Sequence, residues 1–405
     1  MTESIVLRNY GVIDPENIDE NIARKGFKAL DKALTTLTPE KVIQEIENSG
    51  LRKREGKGLP VADELNLARG KSSHKKYVVC NTTEWDPASS INKKIIESDP
   101  LSIIEGMSIV AYAIGAVSGY IYCQGGNSLA ISRIKNAISQ AEERNYLGEN
   151  ILGSGFSFTI EVKEGAEDFV CIEETALIAS LEDKKARSCT KPPLPAQSGI
   201  HNCPTIINSV ETFANIAPII IGGSEWFRAI GTEKSKGTKI FQITSGADNG
   251  KLIEVPMGTP LTDVIKGEGT SIDTQSLKVI HLGGPLGCAL FQEQLDTTLD
   301  FESMEALGIV MGQGSISLLE KSTDMVKLAQ SFLEFTHKES CGKCVPCRIG
   351  SKRMVEILSR ISEGKEKEND VESLREIALA MKDSALCTLG QNIPNPVLSF
   401  IDHFK

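Results

Sequence analysis

The sequence predicts an α/β layer on a largely parallel sheet, then a small β-rich unit, then a helical bundle. Three observations carry this. Short apolar runs such as "YVVC" (77–80) alternate with helix-periodic segments through the first half of the chain, the alternation of a parallel sheet covered by helices. Beyond Gly237 three strand-like runs follow in close succession, with one helix start between them. From Thr323 onward four short helix-periodic segments predict a four-helix bundle. The domain boundaries read from these changes are 1–236, 237–322 and 323–405.

The elements follow in order. Residues 17–37 have helical periodicity. Thr38-Pro39 restarts a helix, with Thr as N-cap and Pro in the first turn; Val42, Ile43 and Ile46 share a face and Gly50 stops it. The loop "GLRKREGKGLP" (50–60) comes next, then the strand 77–80, which runs into the loop "NTTEWDP". Residues 100–115 read as an apolar helix. The apolar stretch 103–117 contains Glu105 and is too short for a membrane span, so a buried helix is the reading. Strands at 119–123 and 158–162 flank an amphipathic helix at 128–144. Ligands of such sheets bind at the carboxyl ends of strands, which singles out the loops after Cys80 and Cys171. Residues 184–204, rich in Pro, Lys and Ser, form an extended connection. Strands at 239–244, 250–255 and 278–282 and a helix start at Thr259-Pro260 make the β-rich unit. The last helices are read at 324–337, 350–363, 371–382 and 394–404, with the charged "GKEKEND" (364–370) as a solvated loop.

A net charge of −10 argues against a nucleic-acid partner, because phosphate backbones need a basic face. "MTESIVLRNYG" lacks the basic-then-apolar pattern of a secretory leader, so a reducing location is expected, the cytoplasm or the matrix of an anaerobic organelle. There, clustered cysteines point to metal or redox chemistry more than to disulfides. Of ten cysteines, Cys341, Cys344 and Cys347 form C-x2-C-x2-C in "ESCGKCVPCRIG", and Cys387 lies in "ALCTLG". Three close thiolates and a remote fourth match [4Fe–4S] ligation. Zinc prefers paired cysteines or cysteine with histidine, and His337 stands nearby as the histidine of that alternative. Lys343 and Arg348 would offset part of the thiolate charge. Cys80, Cys123, Cys171 and Cys288 read as small buried hydrophobes. Cys189 and Cys203 flank the connection without the close spacing of a metal or redox pair.

"ESCGKCVPCR" with the distant "CTLG" resembles the NADH-oxidising flavoprotein subunit of respiratory complex I and the matching subunits of NAD-dependent and electron-bifurcating hydrogenases and formate dehydrogenases. "IIESDPLSIIEGMSIVAYAIGA", "YLGENILGSGFSF", "KPPLPAQSG", "PTIINSVETFANI", "GTEKSKGTK" and "VPMGTPL" fall in the same family order, so the resemblance spans residues 5–404. It implies a Rossmann-like FMN-type domain, a β-grasp-like (SLBB) domain and a four-helix bundle carrying [4Fe–4S]. It also implies partners: a thioredoxin-like [2Fe–2S] subunit and a larger iron–sulfur or catalytic subunit, with a competent paralogue of this chain as a further expectation. FMN and NAD(P)H are the cofactors such a subunit would use.

The pocket loops depart from that pattern. The family loop resembles L-R-G-R-G-G-A-G-F-P; here Lys53 and Glu55 replace glycines, Lys57 an alanine and Leu59 a phenylalanine. A glycine that lets a flat ring touch the backbone has no room for a side chain, and at positive φ a replacement would add about 1–2 kcal/mol of strain. Gly56 and Gly58 then read as glycines whose original demand has gone. The second loop resembles N-A-D-E-G-E-P-G-T-F; Asn81, Glu84 and Pro87 persist, Thr83 replaces an aspartate, and Trp85 and Ala88 replace glycines. In the third, "GAEDFVCIEETAL", Glu167 and Ile172 replace glycines while Glu173 and Glu174 persist. This acid pair reads as a remnant of the NADH site rather than a helix N-terminal pair. Asn208 and Thr212 persist in "INSVET", where Ser209 replaces an asparagine. The remnant pocket is therefore Asn81, Glu84, Glu173, Glu174, Asn208 and Thr212. Glu55, Glu64 and Glu167 bring negative charge toward a phosphate position. The expectation is a subunit that keeps its cluster and has lost FMN and NADH. Two other readings stand beside it: an active FMN-dependent NAD(P)H dehydrogenase whose charged loop residues swing outward, and a remodelled pocket for a ligand without phosphate.

Overall fold

The computed structural model describes residues 4–166, 168–246, 250–267 and 277–404; Glu167, singled out above, lies outside them. The chain opens with α1 (Ile18–Ala23), α2 (Lys28–Thr36), α3 (Pro39–Ser49) and α4 (Val61–Gly70). Residues 17–37 are thus two helices, not one. A Cβ on Gly26 would lie 1.7 Å from Asn21 Oδ1, and Phe27 takes φ +60°, so the chain turns there. α3 begins and ends as its sequence predicts: Thr38 accepts from the Lys41 amide and Gly50 takes φ +69°.

The first sheet contains β1 (Tyr77–Asn81), β2 (Ser118–Cys123), β3 (Thr159–Glu164) and β4 (Thr205–Ser209), all parallel, in the order β3-β2-β1-β4. The chain builds outward from β1 to β3 and then returns to place β4 on the other side of β1. The crevice between the carboxyl ends of β1 and β4 is therefore the topological switch point. Helices α5 (Ile91–Ser98), α6 (Pro100–Ile114) and α7 (Ser128–Glu143) follow, then α8 (Glu174–Leu181) and the short α9 (Val210–Ala214), α10 (Ile216–Gly222) and α11 (Ser224–Arg228). α6 is the buried helix its composition predicts. Its Glu105 is also buried and accepts from the Ala29 and Leu30 amides at 2.9 and 3.1 Å, capping the start of α2. That use explains a carboxylate inside an apolar run.

The second sheet holds β5 (Thr238–Ser245), β6 (Lys251–Pro256), β7 (Leu277–Leu282), β8 (Cys288–Leu290) and β9 (Ser315–Glu320) in the order β6-β5-β9-β7-β8. Only β5 and β9 pair in parallel. α12 (Leu261–Lys266) and α13 (Phe301–Ala306) accompany it. A buried pair fastens this sheet to the first layer. Lys239 Nζ on β5 donates to Glu211 Oε2 at 2.9 Å and to the Arg54 and Gln313 carbonyls at 2.7 and 2.8 Å.

The C-terminal helices are α14 (Met325–Glu339), α15 (Val345–Ser362), α16 (Asp370–Ser384), α17 (Thr388–Asn392) and α18 (Asn395–Phe400). α15 starts five residues before the predicted position because Pro346 suits its first turn, and this places Cys347 on the helix. The predicted last helix, 394–404, is shorter than expected and is preceded by α17. These helices share one apolar core with a face of the first sheet, Val79, Tyr122 and Ile207 packing in the same cluster as Leu333, Leu358 and Phe400. Among the described residues no helix is long and apolar enough to cross a membrane.

Candidate functional site

At the β1/β4 switch point lies a cavity of about 270 Å³. Its walls come from the loop after Leu51, the loop after β1, the turn before α8, β4 and α17. Asn81, Asn208, Glu173 and Glu174 line it, as the sequence predicts. Glu84 and Thr212 are not lining residues. Glu84 Oε1 accepts from the Lys93 amide at 3.1 Å in the first turn of α5, and burial pushes its carboxyl up to about 8. Thr212 Oγ1 accepts the Arg54 amide at 2.9 Å, supporting the loop from behind.

Of the charged residues that depart from the family pattern in that loop, Lys53 and Glu55 point in, not out. Lys53 is 6% exposed, and its Nζ meets Glu64 Oε1 and Glu174 Oε1, both at 2.8 Å, and the Ile207 carbonyl at 3.0 Å. Three acceptors satisfy all three ammonium hydrogens. Glu55 accepts from the Ser209 amide and from Thr212 Oγ1, both at 3.2 Å, and from the Ser209 hydroxyl. Positions 53 and 55, where the family pattern has bare backbone, thus carry side chains seated in the crevice. Only Lys57 and Leu59 lie exposed at the rim. Neither Lys53 nor Glu55 has positive φ, so the strain considered for them does not arise. The glycines that do require their conformation are the two retained. Gly56 and Gly58 both take φ +62°, and a Cβ on Gly58 would lie 2.3 Å from the Phe301 ring. Their demand has not gone; it belongs to the fold.

Glu173 and Glu174 divide their roles. Glu173 is the N-cap of α8, accepting from the Thr175 and Ala176 amides at 3.0 and 3.2 Å, so the helix-terminal reading set aside above applies to it. Glu174 is shared between Lys53 and Lys191, the latter at 2.8 Å from the extended connection. Burial alone would raise the Glu174 carboxyl, but the two ammonium groups hold it at about 2. The opposite balance falls on Glu64: burial pushes its carboxyl up to about 7 against the pull of Lys53. Glu64 is spent on Lys53 and does not line the cavity. Trp85 and Ile172 do line it, and the Trp85 ring lies 3.4 Å from where a Gly56 Cβ would sit.

Four further lining residues, Thr83, Asn92, Gln313 and Asn392, were not identified as site residues from sequence. Thr83 was visible only as a lost aspartate. Gln313 and Asn392 come from segments remote from the pocket loops, and no local pattern marks them.

The four cysteines converge on a second, small cavity that Ser188 and Ser340 also line. Cys341 and Cys344 precede α15, Cys347 is buried in its first turn, and Cys387 is the residue that starts α17. Ser340 Oγ is 3.1 Å from Cys347 Sγ, and Arg348 holds the turn by donating to the Gly342 carbonyl at 2.8 Å. Gly390 admits α17 beside Cys347, since a Cβ there would lie 3.3 Å from Cys347 Cβ and 2.9 Å from Ala385 Cβ. Four thiols lining one small cavity suit [4Fe–4S], in which each thiolate would ligate one iron. His337 is engaged elsewhere, its Nδ1 2.8 Å from Ser351 Oγ. Cys80, Cys123, Cys171 and Cys288 are buried, as expected. Cys203 is also buried, whereas Cys189 is exposed and its Sγ accepts from Lys343 Nζ at 3.7 Å. Leu389 lines both cavities.

A parallel α/β crevice packed against a four-thiol helical region is the arrangement of a flavoprotein-type redox subunit, and the likeness to known proteins agrees. Residues 46–218 match the Nuo51 FMN-binding domain, and residues 327–405 match the NADH-ubiquinone oxidoreductase-F iron–sulfur binding region. The NADP-reducing hydrogenase subunit HndC of Solidesulfovibrio fructosivorans is 49% identical over 99% of this chain and 81% of its own. The F 2 chain of NADH-quinone oxidoreductase from Rhizobium meliloti (strain 1021) is 37% identical over 100% of this chain and 96% of its own. A solved NAD+-reducing [NiFe]-hydrogenase in its H2-reduced state matches with a TM-score of 0.85 at 28% identity, over 99% of this chain and 65% of that one. The chain belongs to the NADH-quinone oxidoreductase-F family, which includes the related hydrogenase subunits.

Proposed function

We propose that this chain is an iron–sulfur relay and scaffold subunit of a multi-subunit oxidoreductase, and that it has given up FMN and NADH. One observation carries this reading: Lys53 and Glu55 occupy the crevice with side chains fully engaged by Glu64, Glu174, Ser209 and Thr212. Expelling them would break a buried ion network, and breaking one such buried pair costs about 3–5 kcal/mol. A flavin would have to supply that before binding at all. The domains at 1–236, 237–322 and 323–405 correspond on this reading to a Rossmann-like flavin scaffold, a β-grasp-like (SLBB) domain and a four-helix bundle.

Cys341, Cys344, Cys347 and Cys387 would hold [4Fe–4S], which supplies a one-electron acceptor and donor. The Lys343 ammonium, held by the Ser188 carbonyl at 2.6 Å, places positive charge at the edge of that site. Partners would be a thioredoxin-like [2Fe–2S] subunit and a larger iron–sulfur or catalytic subunit, in a cytoplasmic or organelle-matrix assembly of the hydrogenase or complex I type. A flavin-bearing paralogue would serve NAD(P)H.

The second reading is an active FMN-dependent NAD(P)H dehydrogenase, favoured by the FMN-binding domain match and by the cavity that remains. Acid release of cofactors from the anaerobically purified complex separates the two. About four iron atoms and no flavin per chain support the proposal; stoichiometric FMN on this chain overturns it. Cys387→Ser should abolish the cluster's visible absorbance.

A further inference from the structure

The cavity left beside Lys53 and Glu55 has walls of an unusual kind. Five of its lining residues carry a buried polar side-chain atom with no hydrogen-bond partner: Thr83 Oγ1, Asn92 Oδ1, Asn208 Oδ1, Gln313 Nε2 and Asn392 Nδ2. None of the five residues is more than 5% exposed. Buried polar atoms are nearly always satisfied, because one left bare gives up its hydration for nothing in return. Five around one space, from separate parts of the chain, mark a place where a complementary molecule belongs. The set mixes acceptors, donors and a hydroxyl that does both.

Charge narrows the class. Three lysines and three glutamates line the cavity, and the buried ones are spent on one another. A phosphate would meet Glu55, Glu173 and Glu174, with Lys53 and Lys191 already engaged and Lys57 lying at the exposed rim. The Trp85 ring adds a flat apolar wall, a surface on which planar rings stack. At about 270 Å³ the space lies just below the ~300–1,000 Å³ of small-molecule pockets, room for a ring system rather than a dinucleotide.

We propose that this cavity binds a small, uncharged, planar heterocycle bearing ring amides, of the free nucleobase or nucleoside class. The unpartnered Asn92 Oδ1, Asn208 Oδ1, Gln313 Nε2 and Asn392 Nδ2 read its edge and Trp85 covers its face. This inference rests on the loss of FMN proposed above.

The test uses the anaerobically purified, cluster-loaded chain. It has two tryptophans, and Trp226 is 42% exposed, away from this cavity, so Trp226→Phe leaves Trp85 as the sole reporter. Adenine, guanine and uracil are titrated, then their nucleosides and their 5′-monophosphates, then FMN. The expected result is saturable quenching of Trp85 by a base or its nucleoside, weakened at least about tenfold in the 5′-monophosphate. Thr83→Val and Asn208→Leu should each weaken binding about tenfold, the loss of one buried hydrogen bond, with iron content and melting temperature unchanged. Comparing base with nucleoside shows which of the two sources the site prefers. Absence of quenching by every base and nucleoside, with FMN also silent, overturns this inference and leaves the loss of FMN standing, the cavity then holding only water. Quenching that both substitutions leave intact overturns it as well. Tight binding of FMN overturns the loss of FMN, and this inference with it.

Discussion

Lys53 shows how one residue in a crevice loop acts as a structural joint. In place of a glycine it brings a 6% exposed ammonium that ties α4, through Glu64, to the start of α8, through Glu174, and to β4, through the Ile207 carbonyl. Burial works against the ammonium, but Glu174 and Glu64 hold it charged. Lys53→Met would leave Glu64 without a cation beside a Glu174 held only by Lys191. It should therefore destabilise the chain by about 3–5 kcal/mol in urea unfolding. Adding Glu64→Gln and Glu174→Gln should recover most of that loss, because it removes the uncompensated charges. A Lys53→Met variant as stable as the parent would show that the network contributes nothing. The sequence exposed Lys53 and Glu55 as misfits but could not show which way they point. Side-chain direction at a loop depends on acceptors such as Ser209 and Ile207, which lie far along the chain.

The elements were legible where their signals are local. Thr38-Pro39 with Gly50 brackets α3, and four successive buried residues mark β1. Misses came where distant contacts decide. The break at Gly26–Phe27 is sustained by Glu105 of α6, and α17 exists because Gly390 lets it approach Cys347. α4 passed unread because its buried positions are interleaved with Asp63, Glu64 and Arg69. The cysteine spacing was the clearest signal of all, since four thiols need only converge. α17 gives that convergence a testable weak point. Gly390→Val forces side-chain atoms against Cys347 and Ala385, and overpacking of this kind costs about 1–3 kcal/mol. Iron per chain should fall below about half that of the parent while far-ultraviolet circular dichroism stays unchanged; full iron loading would show that α17 tolerates the displacement.

At the scale of the whole molecule, the second sheet meets the C-terminal helices at His281. This β7 side chain is 1% exposed, its ring centroid lies 4.8 Å from that of Phe332 and 5.4 Å from that of Phe400, and neither ring nitrogen has a partner. Burial pushes its imidazole down to about 4, below the ordinary value of 6.5. The folded chain therefore refuses a proton that the unfolded chain accepts. Stability is complete above about pH 7 and declines as pH falls from about 6.5 to 4, by up to about 3 kcal/mol. Denaturant unfolding at pH 7.5 and pH 5 should show the loss in the parent and a smaller one in His281→Leu. Equal losses in both would locate the acid sensitivity elsewhere. The pattern of a strand-borne histidine said nothing of this, because its environment is made by Phe332 and Phe400 on helices much later in the chain.

The two left-handed glycines of the opening loop carry a last consequence, for how such a chain changes over generations. Gly56 and Gly58 answer to the peptide geometry and to the Phe301 ring, whatever the crevice holds. Positions 53 and 55, at ordinary φ, are open to any side chain that finds partners. A lineage can therefore alter the lining of its crevice through two permissive positions while the glycine spelling of its loop stays fixed. That spelling records what the turn needs, and the residues between the letters record what the site holds.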